Sequence, residues 1–270
     1  MAPRRSTTPR FRWFVARALA GSGPKLAFLD ALLVLAIALI AASLWRRAGG
    51  ARADFERVVP MVGTALRYSV GLPLAYGAIS AIGDDRDAGL IALARTHGIS
   101  AASYLRRRAL GAGLLVGMVV AAPMVVLSLI LAGFGGGLEG ALARASLVLP
   151  SLLVGLGTGA VFGFGAVALG TFVRSRPVAF IGLLGAGALG AAFEGALHGA
   201  IGRALRQLIS PLRALDDAQA AAFAEPNVWV RGVTGAIALL LVTLVIERIA
   251  ERAIARELDD EWPTLGPERA

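Results

Sequence analysis

The feature that most constrains this chain is a series of apolar runs, each about 20 residues or longer, separated by charged segments. A helix of about 20 residues spans the roughly 30 Å hydrocarbon layer of a bilayer. Apolar residues make up 57% of the sequence and charged residues only 17%. A soluble domain carries about 25% charged residues, scattered at the spacing of a packed core. The pattern therefore predicts an all-α, polytopic membrane protein. Six spans are expected, near residues 26–45, 59–82, 109–133, 147–171, 177–199 and 228–248. Pro60 and Pro73 in the second span and Pro123 in the third mark kinks, because neighbouring groups satisfy the carbonyls a proline frees.

The net charge of +9 sits in the segments flanking these runs. That is where arginines meet lipid headgroups, and no soluble basic face is long enough to track a nucleic-acid backbone. With the N-terminus inside, the internal segments are 1–25, 83–108, 172–176 and 249–270. They hold roughly twice the Arg and Lys of the external ones, as the positive-inside rule requires. Both termini are thus expected in the cytoplasm. Trp13, Trp45, Trp229 and Trp262 mostly fall at the expected interfaces. There is no cysteine, which excludes disulfides, thiolate metal sites and cysteine nucleophiles.

Three regions lie outside the spans. Residues 10–20 read as an interfacial amphipathic helix, with Phe11, Phe14, Val15 and Ala18 toward lipid and Arg12 and Arg17 toward water. The alternative is a basic tail. Residues 200–227 are half-polar and hold Pro211 and Pro226, so they read as external short helices on or dipping into the interface. The last span runs on into a charged helix and an acidic tail over 249–270. Small residues repeat at helical spacing in Gly113/Gly117, Gly155/Gly159/Gly163 and Gly195/Gly199. Such faces let helix backbones approach closely, within one bundle more readily than across a dimer.

The longest expected internal loop is 83–108. Asp84, Asp85 and Asp87 are placed at a helix start, where acids complement the dipole. Leu90, Leu93, Ala94 and His97 form one apolar face, Gly98 ends that helix and Ser100 caps the next. Arg106, Arg107 and Arg108 then precede the third span.

Asp85, Arg86, Asp87, Gly89, Leu90, Leu93, Ile99, Ser100, Tyr104 and Arg108, between the second and third of six spans, resemble the cytoplasmic elbow of ABC transporter permeases of the ABC-2 type. The motif covers about 25 residues and the architecture most of the chain. Many members have proline where this chain has Gly98, and threonine where it has Leu90. The resemblance implies a permease subunit of an exporter whose 84–104 segment is a coupling helix docked on a separate ATPase. It implies no cofactor in this chain, with ATP and Mg²⁺ held by that partner. It also implies pairing with a second permease copy or a homologue. The sequence agrees on one point: the sole lysine, in GSGPKL, lacks the glycine before it and the hydroxyl after it that a P-loop needs. Two other classes stand beside this one. An intramembrane serine hydrolase would pair Ser100 with His198, but these fall on opposite sides of the bilayer. A non-transporting scaffold is compatible with the sequence.

Within the spans, an ionised side chain at the centre costs about 2.5–3.5 kcal/mol on insertion scales and must face protein or water. Arg67 is such a residue, and Glu194, with His198 one turn on, is also expected toward the outer half, where it could pair with Arg67. These charges read equally as lining or gating an outer pathway and as a salt bridge that fixes helix packing.

Overall fold

The computed structural model describes residues 22–47, 52–133, 146–173, 175–192, 199–223 and 229–261. The expected amphipathic helix over 10–20, Glu194, His198 and the end of the acidic tail lie outside them. Among the described residues the chain is all-helical. Five helices are long and apolar enough to cross a membrane, spanning Lys25–Leu44, Val58–Asp87, Ala102–Leu131, Val148–Phe172 and Gly232–Arg252. The fifth expected span is represented by a shorter helix, whose apolar part covers Arg176–Gly185.

In chain order these are α1 (Ser22–Arg47) and α2 (Arg52–Leu66), then a π-helical segment Arg67–Gly71 leading into α3 (Leu72–Ile79). The elbow consists of α4 (Ala81–Asp87) and α5 (Leu90–Thr96), and α6 (Ala101–Gly133) follows. Next come α7 (Val148–Thr158), a second π segment Gly159–Gly165, α8 (Ala166–Phe172) and α9 (Arg176–Ala192). A short helical pair, α10 (Gly199–Ile209) and α11 (Pro211–Phe223), leads to α12 (Trp229–Glu261).

Packing in α1 reverses that of a soluble helix. Ala27, Ala31, Ala38 and Ala42 are buried, while Phe28, Leu32, Leu33 and Ile37 point outward. Small residues face the protein and large apolar ones face the surroundings, as suits a helix solvated by lipid. The same economy joins α6 to α7. A Cβ on Gly159 would fall 2.1 Å from the carbonyl oxygen of Gly113, and one on Gly163 would fall 2.5 Å from Gly113 Cα. The Gly113/Gly117 and Gly155/Gly159/Gly163 faces thus meet within one chain. Ser128 and Ser151 add a hydroxyl contact of 3.3 Å between the same helices.

The first π segment has a local cause. Pro73 cannot donate to the carbonyl four residues back, and its ring crowds that carbonyl. The helix widens just before it, and the Leu72 N–H bonds to the Arg67 carbonyl, five residues back. The second π segment is glycine-rich and packs beside the first, with Phe162 fully buried and a Cβ on Gly71 placed 3.4 Å from its ring.

α10 and α11 form a helical hairpin against α12. Gly235 faces Ala214 and Gly232 faces Ala221, so α11 and α12 run antiparallel. Pro211, at the turn, shares a cleft with Leu239 and so reaches well into the apolar stretch of α12.

Substituting the two kinds of glycine should separate close contact from open space. Gly159→Ala is expected to cost about 1–3 kcal/mol through overpacking. Gly182→Ala, where a Cβ meets nothing within 4 Å, should leave the melting temperature in lipid nanodiscs unchanged.

Candidate functional site

Two polar sites interrupt the apolar bundle, one at each end. The first is the elbow. α4 is a continuation of the second span, since Asp84 N–H bonds to the Ser80 carbonyl at 2.8 Å and Ala88 N–H to the Asp84 carbonyl at 3.1 Å. Asp84, Asp85 and Asp87 therefore lie toward the C-terminal end of a helix, not at the start of one as expected from the sequence. Carboxylates there oppose the helix dipole, and the structure offsets this with nearby cations and hydroxyls. Asp84 accepts from Ser80 Oγ at 2.9 Å and from Arg176 at 2.6 Å, which ties the elbow to α9. Asp85 is fully buried, accepts from Tyr104 Oη at 3.0 Å and pairs with Arg108 Nε at 2.9 Å. Tyr104 and Arg108 belong to α6, so the turn between the spans is clamped across its base.

Gly89 ends α4 with φ +67° and Gly98 ends α5 with φ +75°, left-handed conformations that favour glycine. Ser100 Oγ accepts from Ser103 N–H at 3.2 Å and caps α6, as expected. The apolar face of α5 is a correction. Ile91 and Ala94 are buried, whereas Leu93 is 55% exposed and His97 is exposed. The buried stripe is rotated by about one residue from the Leu90/Leu93/Ala94/His97 face. A seven-residue helix held close between two spans admits Ile91 and Ala94 against Ile82, Ile99 and Leu105. That arrangement leaves Leu93 facing outward beside exposed Asp87 and Gly89, with Leu90 and Arg86 half-buried. Arg106 of α6 pairs with Glu247 and, at 2.8 Å, with Glu251, so the base of α6 is also linked to α12. Nothing in the sequence spacing singled out those two glutamates.

The second site lies at the hairpin end. Arg67, at the start of the π segment, is fully buried, as its place in a span requires. Its described partners are Asp216 and Gln219 of α11; Glu194 and His198 lie outside the described residues. Gln219 in turn donates to the Pro60 carbonyl at 2.8 Å and to Thr64 Oγ1 at 3.0 Å. Gln219 thereby satisfies polar groups on both sides of the α2–α11 seam.

Among the described residues no group of three or more His, Asp or Glu side chains is placed to hold a metal ion. No protein-family model matches the sequence, and no curated protein and no solved structure matches the chain.

The two aspartates of the elbow should respond differently to truncation. Asp85→Ala strands Arg108, which is 9% exposed at its side chain, and should cost about 3–5 kcal/mol. Asp84→Ala breaks a pair whose side chains are 52% and 47% exposed and should cost about 0–1 kcal/mol. Thermal unfolding of the two variants in nanodiscs checks the order.

Proposed function

We propose that this chain is the membrane-spanning permease subunit of an ATP-driven ABC transporter, an exporter, coupled through the 84–104 elbow to a separate ATPase. The observation that carries this reading is the construction of the elbow. It is a short, rigid double turn, clamped by Asp85, Tyr104 and Arg108, that presents exposed Leu93 and Asp87 away from the bundle. Its covalent ends are the second and third spans, and its ion pairs reach α9 and, through Arg106, α12. A partner pushing on such an element moves several helices together instead of deforming a loop.

In this reading six helices cross the membrane, with α9 completing the set, and both termini are cytoplasmic. A second copy or a homologous permease lines the other half of the pathway. ATP and Mg²⁺ belong to the partner, consistent with the lack of a P-loop around Lys25. The roles within the elbow divide by burial. Asp85, Ser100 and Tyr104 shape it, Asp84 anchors it, Gly89 permits its turn, and Asp87 and Leu93 touch the partner, flanked by Arg86 and Leu90.

Co-expression with the ATPase encoded nearest to this chain tests the assignment. Wild-type protein is expected to co-purify with it. Leu93→Glu should abolish the complex while the stability stays within the range of surface substitutions, about ±0.5 kcal/mol. Undiminished co-purification of the Leu93→Glu variant would remove the elbow from the interface.

A further inference from the structure

At the hairpin end of the bundle α11 packs on α12, and also on α7 and α9, more extensively than on α2. α11 is seated on α12 through glycines: a Cβ on Gly232 would fall 2.0 Å from Ala221 Cβ, and one on Gly235 would fall 2.6 Å from the Ala214 carbonyl oxygen. With backbones this close the two helices have no room to slide independently. On its other side α11 meets α2 only sparsely. A cleft of about 520 Å³ opens there, lined by Pro60, Met61 and Thr64 of α2 and by Asp216, Gln219 and Ala220 of α11.

The tie across this seam is polar. It consists of Arg67 with Asp216, Arg67 with Gln219, and Gln219 with the Pro60 carbonyl and Thr64. The central pair is asymmetric, with the Arg67 side chain 0% exposed and that of Asp216 44% exposed. The carboxylate lines the open cleft, so on leaving the guanidinium it has space in which to be hydrated. Arg67 opens the π segment, where the bonding of the second span shifts from four to five residues back.

We propose that the contact of Arg67 with Asp216 and Gln219 is a releasable latch. The hairpin and the adjoining part of α12 move from α2 as one body when Asp216 leaves Arg67, pivoting over α7 and on the Arg106 ion pairs at the far end of α12, and the cleft then deepens toward the π segment. Water entering the deepened cleft solvates Arg67, so neither charge is stranded in an apolar medium. The latch follows from the packing at this end of the bundle and does not depend on which partner grips the elbow.

The chain has no cysteine of its own, so paired spin labels can be placed cleanly. The pair Met61→Cys with Ala220→Cys straddles the cleft, at positions that are both exposed. The pair Ala220→Cys with Ile237→Cys lies within the hairpin–α12 body. Distance distributions of the full chain in nanodiscs are the readout. The cleft pair should show one dominant short distance in the otherwise wild-type protein and with Asp216→Glu. With Asp216→Asn, which removes a charged hydrogen bond, the longer-distance population should rise about tenfold. Gln219→Ala should give a smaller rise, and the Ala220–Ile237 distance should stay constant throughout. Identical cleft distributions with and without Asp216→Asn would overturn the latch. A change in the Ala220–Ile237 distance would overturn the single moving body. If Asp216→Asn does not fold, Gln219→Ala carries the test, and an unchanged cleft distribution in that variant is equally contrary.

Discussion

The arrangement depends first on backbone-to-backbone contact between α6 and the fourth span, α7 with its π segment. Lipid tails are as apolar as leucine, so burying leucine between helices gains little there, and association relies on close approach and hydrogen bonding. Gly113 against Gly159 and Gly163 supplies that approach. The fourth span, once fixed, positions both ends of the molecule. Gly157 lies under Leu215 of the hairpin, where a Cβ would come 2.8 Å from the side chain. Gly170 lies against the Ile79 carbonyl, where a Cβ would come within 1.8 Å, and so sets the base of the elbow. Each of these glycines acts by lacking a side chain, and the large apolar residues are left to face the lipid.

The second span carries two charge pairs, one well inside it and one at its elbow end. Arg67 pairs with Asp216 on the hairpin, and Asp85 pairs with Arg108 beside the elbow. Eighteen residues separate them, about 27 Å of helix at 1.5 Å per residue. Buried pairs of this kind add little net stability but make one arrangement far more favourable than its neighbours, since stranding either charge is costly. The elbow pair has no exposed member and behaves as a fixed joint. The hairpin pair has one half-exposed member, and on the proposed latch it is the contact that opens. On the proposed coupling, a tilt imposed at the elbow would reach the hairpin through the proline-marked second span.

Much of this was legible in the sequence because it rests on length and spacing. Runs of lipid-spanning length, the four-residue glycine repeat, and Gly98 and Ser100 around the turn all report backbone requirements directly. Arg67 was legible as a charge needing burial among polar groups. Its partners were not, because pairing across about 150 residues leaves no local periodicity. One signal was present: Leu212, Leu215 and Gln219 share a helical face, and a glutamine on an apolar face calls for a partner. The rotation of α5 was hidden because leucine and isoleucine are equally apolar, and only the tight space between two spans favours Ile91 over Leu93. The acids of α4 were misplaced because a charged run reads as a helix start when the preceding helix does not visibly stop.

The functional account stands on the elbow being a cytosolic lever and the hairpin lying at the opposite face. Sidedness tests this most directly. With Leu93→Cys or Met61→Cys as the sole thiol, a membrane-impermeant maleimide applied to intact cells should label the Met61 position at once. The Leu93 position should react only after the membrane is permeabilised. Labelling of the Leu93 position from outside, with the Met61 position protected, would contradict the account.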